Sequence, residues 1–168
     1  MTVRTFAVRG PFAVPTAGPG VYKWIVAERL EEFWNDRVKT PADGRGCYVF
    51  ALSTSRGALL PIYVGRTSRR TFRSECFTPD KINKAQKGMR GRTGKLVLFL
   101  VVYQSRPNAS VIRSAEELLI KLAKEANPNL VNKQGTRSPS FSISGVYNTG
   151  VGKRSEAAQR FRKMLRFD

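Results

Sequence analysis

The chain of 168 residues contains no histidine and only two cysteines. Without histidine, the side chain that most often serves as a general base near neutral pH is missing, and that role must fall to another group. Cys47 and Cys76 lie far apart with no CxxC spacing. A zinc site is therefore not expected, and reduced thiols point to a cytoplasmic protein. No apolar run is long enough to span a bilayer and no signal peptide is recognisable, so no membrane is expected among the partners.

Acidic residues are scarce: 12 aspartates and glutamates face 30 lysines and arginines, which gives a formal net charge of +18. Residues 46–135 hold most of the excess, with 16 basic and 5 acidic side chains. Such a charge opposes compaction unless an anionic partner offsets it, and nucleic acid is the commonest such partner. A ribosomal or chromatin protein would share this feature. The composition, with 41% hydrophobic residues, is otherwise typical of a globular protein of one domain.

Two β-prone runs form the centre of the sequence. Residues 46–53 read Gly-Cys-Tyr-Val-Phe-Ala-Leu-Ser, and residues 61–67 read Pro-Ile-Tyr-Val-Gly-Arg-Thr. The connector between them, residues 54–58, has the composition of a hairpin loop. Each run carries one tyrosine, Tyr48 or Tyr63, and the two hydroxyls suggest a site at one end of the hairpin. Ordinary strand aromatics are the alternative interpretation.

The chain becomes strongly basic after this hairpin. Lysines at positions 81, 84 and 87 recur every three residues, which would form a basic ridge on a short helix. This excess of basic side chains predicts contacts with a phosphate backbone. The alternative is that these side chains form a solvated surface. Arg73 differs because apolar residues flank it, and a half-buried arginine needs an anionic partner. The predicted nucleic-acid-binding residues are Arg66, Arg69, Arg70, Lys81, Lys84 and Lys87.

A carboxylate interrupts the apolar face of a predicted helix. Residues 95–103 are typical of a buried central strand, and residues 110–126 show helical periodicity. Glu116 falls inside the apolar stripe of that helix, whereas Glu117 falls about 100° away on the polar side. A carboxylate on a core-facing stripe needs a cation or hydrogen-bond donors. Glu116 is therefore either half of an ion pair with a buried arginine or a ligand for a divalent metal.

The flanking segments are predicted from local patterns. Residues 1–20 are rich in glycine and proline, which favours an irregular arm or an edge strand, and apolar spacing over residues 22–37 predicts an amphipathic helix. Residues 134–152 are expected to be a mobile loop or a short β-ribbon, and Ser155 is expected to cap a last helix. The expected divisions of one compact domain are residues 1–45, an arm and helix packed on the core; residues 46–133, the core; and residues 134–168, a basic loop and helix.

The order of these features resembles the GIY-YIG nuclease family, here in the variant spelling GCY at 46–48 and YVG at 63–65. In that family an arginine follows the second tyrosine, a metal-binding glutamate precedes a Leu-Ile pair, and an asparagine follows a helix-ending proline. Residues 45–133 carry these features in the same order. The resemblance implies a GIY-YIG-like nuclease core with five catalytic residues: Tyr48, Tyr63, Arg73, Glu116 and Asn132. For Asn132, a turn that satisfies local backbone groups is the alternative.

The resemblance also implies a fold and a function. The fold would be α/β, with a small three-stranded antiparallel sheet (strands near 46–53, 60–64 and 95–103) flanked by helices, and extra N- and C-terminal helices. The function would be metal-dependent hydrolysis of DNA by an endonuclease, of restriction or phage- and defence-associated type. Glu116 would hold Mg²⁺, with Mn²⁺ as a substitute. Double-stranded DNA is the expected substrate, with RNA left open. A homodimer and an association with the nucleoid are compatible with this function.

One departure from the family bears on catalysis. Phe77 stands where many relatives carry histidine or tyrosine, one helical turn after the arginine. Tyr48 would then activate the attacking water, with its phenolate favoured by nearby cations and the metal. Tyr63 would orient phosphate or water, and Arg73 would neutralise charge on the phosphoryl group. The alternative functions are a non-catalytic nucleic-acid-binding protein on the same fold and an RNA-cleaving toxin.

Overall fold

The computed structural model of the protein describes residues 4–133, 141–147, 149 and 152–166. Of the segment 134–152, predicted as a loop or ribbon, residues 134–140, 148, 150 and 151 lie outside the described residues. The strands are β1 (Thr5–Ala13), β2 (Thr16–Ala17), β3 (Trp24–Ile25), β4 (Gly46–Ser53), β5 (Leu59–Thr67), β6 (Lys95–Tyr103) and β7 (Ser142–Ile143). The α-helices are α1 (Leu30–Glu32), α2 (Phe72–Glu75), α3 (Pro79–Met89), α4 (Ala109–Ala126) and α5 (Glu156–Met164).

The main sheet is larger than the sequence predicted. Within the described residues it has five strands in the order β5-β4-β6-β1-β7, and it is mixed and curled into a half-barrel. The prediction of a small three-stranded antiparallel sheet is therefore wrong. β1 pairs antiparallel with β6, with Phe6 opposite Tyr103, and β7 pairs parallel with β1. Residues 5–13 are thus a sheet strand rather than an irregular arm, because pairing with β6 satisfies their backbone and buries Phe6 and Val8.

The three predicted strands occur within this sheet as β5, β4 and β6. β4 lies between the other two and pairs antiparallel with both, so that Tyr48 stands opposite Gly65 on β5 and Leu100 on β6. A register shift in β5 leaves Ile62 unpaired between the positions opposite Phe50 and Ala51. β5 is an outer strand of the sheet. One of its edges is therefore open to groups other than strands.

The two faces of the sheet bury separate cores, because side chains on a strand alternate between faces. Cys47, Val49 and Ala51 on β4 face the core covered by α4 and α5. Tyr48, Phe50 and Leu52 face the core covered by the N-terminal segment, α2 and α3. Helices α3 and α4 both pack on β5, from opposite faces. In the described part of the chain, no helix combines the length and hydropathy needed to cross a membrane.

The prediction of one amphipathic helix over residues 22–37 is wrong in the first half of this segment. Trp24–Ile25 form β3, Ala27–Arg29 a 3-10 turn, Leu30–Glu32 one α-helical turn, and Phe33–Val38 a π-helical turn. Strand β3 pairs with β2, and the Ile25 N–H donates to Gln86 Oε1 on α3. These tertiary partners take backbone groups that a helix would have used.

The later helices follow their local signals. Asn108 caps α4, since its side chain accepts from the N–H groups of Ser110 and Val111, and Ser155 caps α5 by accepting from the N–H of Ala158. The basic segment around Lys81–Lys87 is helical, as its spacing predicted. Helix α3 carries Gly88 where it meets β5: a Cβ at this position would lie 2.8 Å from Ile62 Cβ.

We expect Gly88→Ala to destabilise the protein by about 1 kcal/mol. Alanine gains about 1 kcal/mol in helix propensity, but overpacking against Ile62 costs roughly 1–3 kcal/mol. Urea unfolding followed by circular dichroism measures the difference. Asn83→Ala, at an exposed position of the same helix, is the control, and it should be neutral or stabilising. A stabilised Gly88→Ala variant would show that α3 does not pack tightly on β5.

Candidate functional site at the edge of the sheet

Five of the predicted residues lie on or beside the outer strand of the sheet, as one pair and one group of three. Tyr63 and Arg66 lie on β5, Tyr48 on the neighbouring β4, Lys81 on α3 and Glu116 on α4. The helices reach β5 from opposite faces, so their side chains can come together around its open edge. We call these five residues the edge site.

The ring of Tyr48 lies over Gly65. A Cβ at position 65 would be 2.7 Å from Tyr48 Cε2 and would contact Cζ and Oη even more closely. Gly65 is therefore required by the close approach of a neighbouring ring, which gives the glycine of the YVG motif a physical reason. The sequence placed Gly65 at the end of the strand, whereas β5 continues to Thr67.

The Tyr48 hydroxyl is buried and, within the described residues, has no hydrogen-bond partner. Burial raises the pKa of Tyr48 well above its ordinary value, and the neighbouring Cys76, Tyr63, Glu75 and Glu116 raise it further. The phenol is therefore protonated at neutral pH. Burial and these neighbours therefore disfavour the phenolate, in the direction opposite to the effect that nearby cations and a metal would have.

Tyr63 has a polar partner where Tyr48 has none. Lys81 Nζ donates to Tyr63 Oη at 3.3 Å. The ammonium groups of Lys81 and Lys84 lie 5.8 and 5.5 Å from the centre of the Tyr63 ring, within range of a cation–π attraction. Both lysines also contact Asp80, at 3.4 and 3.0 Å. The ridge predicted on α3 thus turns two of its lysines toward the second tyrosine, and Lys87 is exposed.

Glu116 is the carboxylate of the edge site. Arg66 donates from Nη1 to Glu116 Oε2 at 3.0 Å, and the Glu116 side chain is 19% exposed. Burial raises the pKa of Glu116, and this effect outweighs the opposing influence of Arg66 and Lys81. The ion pair that the sequence left open is present, but its arginine lies at the surface with 40% of its side chain exposed.

Arg73 is paired with the N-terminal segment. Its guanidinium donates to Asn35 at 2.8 Å and to Asp43 at 3.4 Å, and both partners belong to the N-terminal segment. The apolar neighbours that marked Arg73 in the sequence, Phe72 and Cys76, are buried, while Arg73 itself turns outward. In the described residues Arg73 therefore ties α2 to the N-terminal segment.

Asn132 binds the backbone of β5. Its Oδ1 accepts from the N–H of Val64 at 2.8 Å, and its Nδ2 donates to the carbonyl of Val64 at 2.7 Å. The segment after α4 adds bonds from Asn127 Nδ2 to the Pro61 carbonyl and from the Val131 N–H to the Ile62 carbonyl. Side-chain amides thus satisfy backbone groups on the open edge of β5, one residue before Gly65.

Of the other predicted cations, Lys84 contacts the Tyr63 ring, whereas Arg69, Arg70 and Lys87 are exposed. Arg69 and Arg70 are exposed after β5, where the Thr67 hydroxyl donates to the Arg70 carbonyl. Asn127, which closes α4 and binds β5, was not among the predicted site residues. Its position directly before Pro128 is a helix-end signal, but no local signal shows that its amide reaches a strand.

The chemistry of the edge site fits one Mg²⁺. Among the described residues, no group of three or more Cys, Asp or Glu side chains forms a metal cage. Mg²⁺ does not require one, because it keeps several waters and binds through one or two carboxylates together with substrate phosphate. A cation beside Glu116 would also favour its charged form, which burial disfavours.

We expect Asn132→Ala to lower the free energy of unfolding by about 1–3 kcal/mol, because it leaves two backbone groups of β5 without partners. The control is Asn129→Ala, since Asn129 is exposed, and a change within about 0.5 kcal/mol is expected there. Chemical unfolding of both variants measures the effect. Equal stability of the two variants would contradict a structural role for Asn132.

We expect Glu116 to lower stability as its carboxyl ionises. Because its pKa is raised in the folded protein, the folded state holds the proton more tightly than the unfolded chain, and stability falls as pH rises from about 4.3 through the raised pKa. In Glu116→Gln this fall should disappear, and the variant should be at least as stable as wild type at pH ~7. Unfolding curves across this range, with Glu117→Gln as control, measure it. An unchanged slope in Glu116→Gln would contradict the assignment.

Comparisons with known proteins found no relative of this chain. No protein-family model, no curated protein and no solved structure matches the chain.

Proposed function

We propose that the protein is a metal-dependent endonuclease that hydrolyses phosphodiester bonds in DNA. The observation that carries this proposal is Glu116, a largely buried carboxylate with a raised pKa that pairs with Arg66 and lies within electrostatic range of Lys81 and Tyr48. Perturbed carboxylates among opposite charges are more frequent at functional sites than elsewhere on proteins. The order of motifs that resembles the GIY-YIG nucleases supports the same proposal.

The charge around the edge site supports a phosphate substrate. Arg66 and Lys84 have 40% and 38% of their side chains exposed, and Arg69, Arg70 and Lys87 are exposed nearby in sequence. Arginine suits phosphate because its planar fork makes parallel hydrogen bonds. Such contacts bind the backbone of a nucleic acid and do not recognise its base sequence.

Glu116 would hold the divalent cation, Mg²⁺ or Mn²⁺. When bound, the cation would supply positive charge that stabilises the leaving oxygen of the scissile phosphate. Glu116 in its ionised form is the ligand, and the cation offsets the cost of that buried charge.

Arg66 is the arginine that we assign to the scissile phosphate. It contacts Glu116 directly, whereas Arg73 is engaged by Asn35 and Asp43 on the N-terminal segment. If Glu116 held a cation, it would attract Arg66 less, and the Arg66 guanidinium would be available to a phosphate oxygen. In this assignment Arg66 neutralises developing charge and Arg73 is a positioning residue.

The two tyrosines have different roles in this proposal. Because Lys81 donates to Tyr63 Oη, the Tyr63 proton is free to be donated to a phosphate oxygen or a water. Tyr48 is buried and protonated, so its ring positions β5 by packing on Gly65.

A non-catalytic nucleic-acid-binding protein is the second candidate. The buried Tyr48 hydroxyl and the engagement of Arg73 favour it, because they remove two of the five groups that the resemblance implied for catalysis. Binding would then be steeply salt-dependent and independent of Mg²⁺ and of Glu116.

Plasmid cleavage at low salt tests the proposal. We expect wild type to cut in Mg²⁺ and not in EDTA, and Glu116→Ala to lose about 10²-fold or more of the rate. Glu117→Ala is the matched control: Glu117 is the next residue, pairs with Arg113, and should be dispensable. Arg66→Ala should lose more activity per folded molecule than Arg73→Ala.

Two results would contradict the proposal that the protein is a DNA nuclease. The first is no cutting by wild type, with equal DNA binding by wild type and Glu116→Ala, which is the outcome for a binding protein. The second is preferential cutting of RNA, which would indicate an RNA-cleaving enzyme on this site.

A further inference from the structure

Two large aromatic side chains are exposed in the described part of the chain. Tyr22 is 76% exposed and Trp24 is 52% exposed, whereas the second tryptophan, Trp34, is 3% exposed. They lie two residues apart, Tyr22 just before β3 and Trp24 at its first residue. Lys23 and Ile25 alternate with them and face the protein. We call residues 16–25, which include β2 and β3, the aromatic ribbon.

The aromatic ribbon is fixed to the body of the protein. The Ile25 N–H donates to Gln86 Oε1 on α3, and Lys23 Nζ donates to the Gly94 carbonyl. The Trp24 ring rests on Gly18, where a Cβ would lie 2.6 Å from Cζ3. Its rings are therefore presented in one place at little further cost in conformational entropy on binding.

Helix α3 connects the aromatic ribbon to the edge site. Lys81 contacts Tyr63 of the edge site, and Gln86, five residues later on α3, contacts the ribbon. Five residues span about 8 Å along a helix axis, so these two contacts on α3 are about 8 Å apart along it. The exposed Lys87 and the turn containing Arg90 and Arg92 continue the positive charge beside this contact.

We propose that the aromatic ribbon stacks on unpaired bases of the nucleic acid whose phosphate occupies the edge site. This inference rests on the nucleic-acid binding in the proposed function and extends it to a substrate class, strands with unpaired bases near the scissile phosphate. Aromatic rings beside a cationic track are how proteins hold single strands, because every base offers a π-face and every linkage a charge. The basic residues of α3 and of the turn after it lie on the side of the ribbon that Gln86 contacts, and there they favour an anionic occupant over an apolar protein surface.

Binding of labelled oligonucleotides, in EDTA and in a Glu116→Ala background that prevents cutting, tests the inference. The probes are a single strand and a blunt duplex of the same sequence, followed by anisotropy and by tryptophan emission. Because Trp34 is buried, quenching on binding reports Trp24. We expect Trp24→Ala and Tyr22→Ala each to weaken single-strand binding about 5- to 100-fold, the effect of one lost stacking partner, with little change for duplex.

Two further variants separate stacking from other effects. Trp24→Phe keeps a ring and should retain most of the affinity while losing the quenching. Lys87→Ala should weaken single strand and duplex equally, because a phosphate contact does not distinguish them. Tyr22→Ala guards against a folding defect in Trp24→Ala, since Tyr22 is the more exposed of the two aromatic residues.

The inference is overturned if both oligonucleotides bind and neither aromatic variant changes single-strand affinity. It is also overturned if Trp24 emission shifts with protein concentration alone, which would show that a second copy covers the ribbon. Absence of any binding at low salt would overturn this inference and the proposed function together. Aromatic-dependent binding without cleavage by wild type in Mg²⁺ would support this inference and reject the nuclease.

Discussion

The open edge of β5 is the constraint on which the site depends. An outer strand leaves backbone N–H and C=O groups unpaired, and here amides after α4 satisfy them, with Asn132 binding both groups of Val64. Since no further strand of the described residues pairs at this edge, α3 and α4 pack on β5 from opposite faces. Lys81 then contacts Tyr63 on one face and Glu116 contacts Arg66 on the other.

Two groups at this edge carry a cost in stability. Among the described residues Tyr48 Oη is buried without a hydrogen-bond partner, and Glu116 is held where burial disfavours its charge. Each of these polar groups would have a lower free energy in water, and replacing it with an apolar group would remove its cost to the stability of the fold. Costs of this kind concentrate at functional sites, where the local environment is selected for chemistry rather than for stability. This is why the edge site, and not the basic surface alone, carries the proposed function.

Much of the fold could be predicted where local pattern and tertiary packing agree. The strands β4, β5 and β6, the helix around Glu116 and the Ser155 cap follow from periodicity and capping chemistry. The sequence left the first strand open, as an irregular arm or an edge strand, because its place beside β6 depends on a partner about ninety residues away in sequence. Residues 22–37 show helical apolar spacing, yet pairing of β2 with β3 and the bond to Gln86 override it at Trp24 and Ile25.

The sequence by itself determined which chemistry is available: a strongly basic chain without histidine, two tyrosines on a hairpin, and Glu116 on an apolar helix face. Only the tertiary structure decided how those groups are used. Arg66 rather than Arg73 meets Glu116, Asn132 binds a strand rather than a local turn, and burial keeps Tyr48 protonated. The physical reason is that desolvation and hydrogen-bond pairing depend on neighbours distant in sequence, which local spacing does not encode.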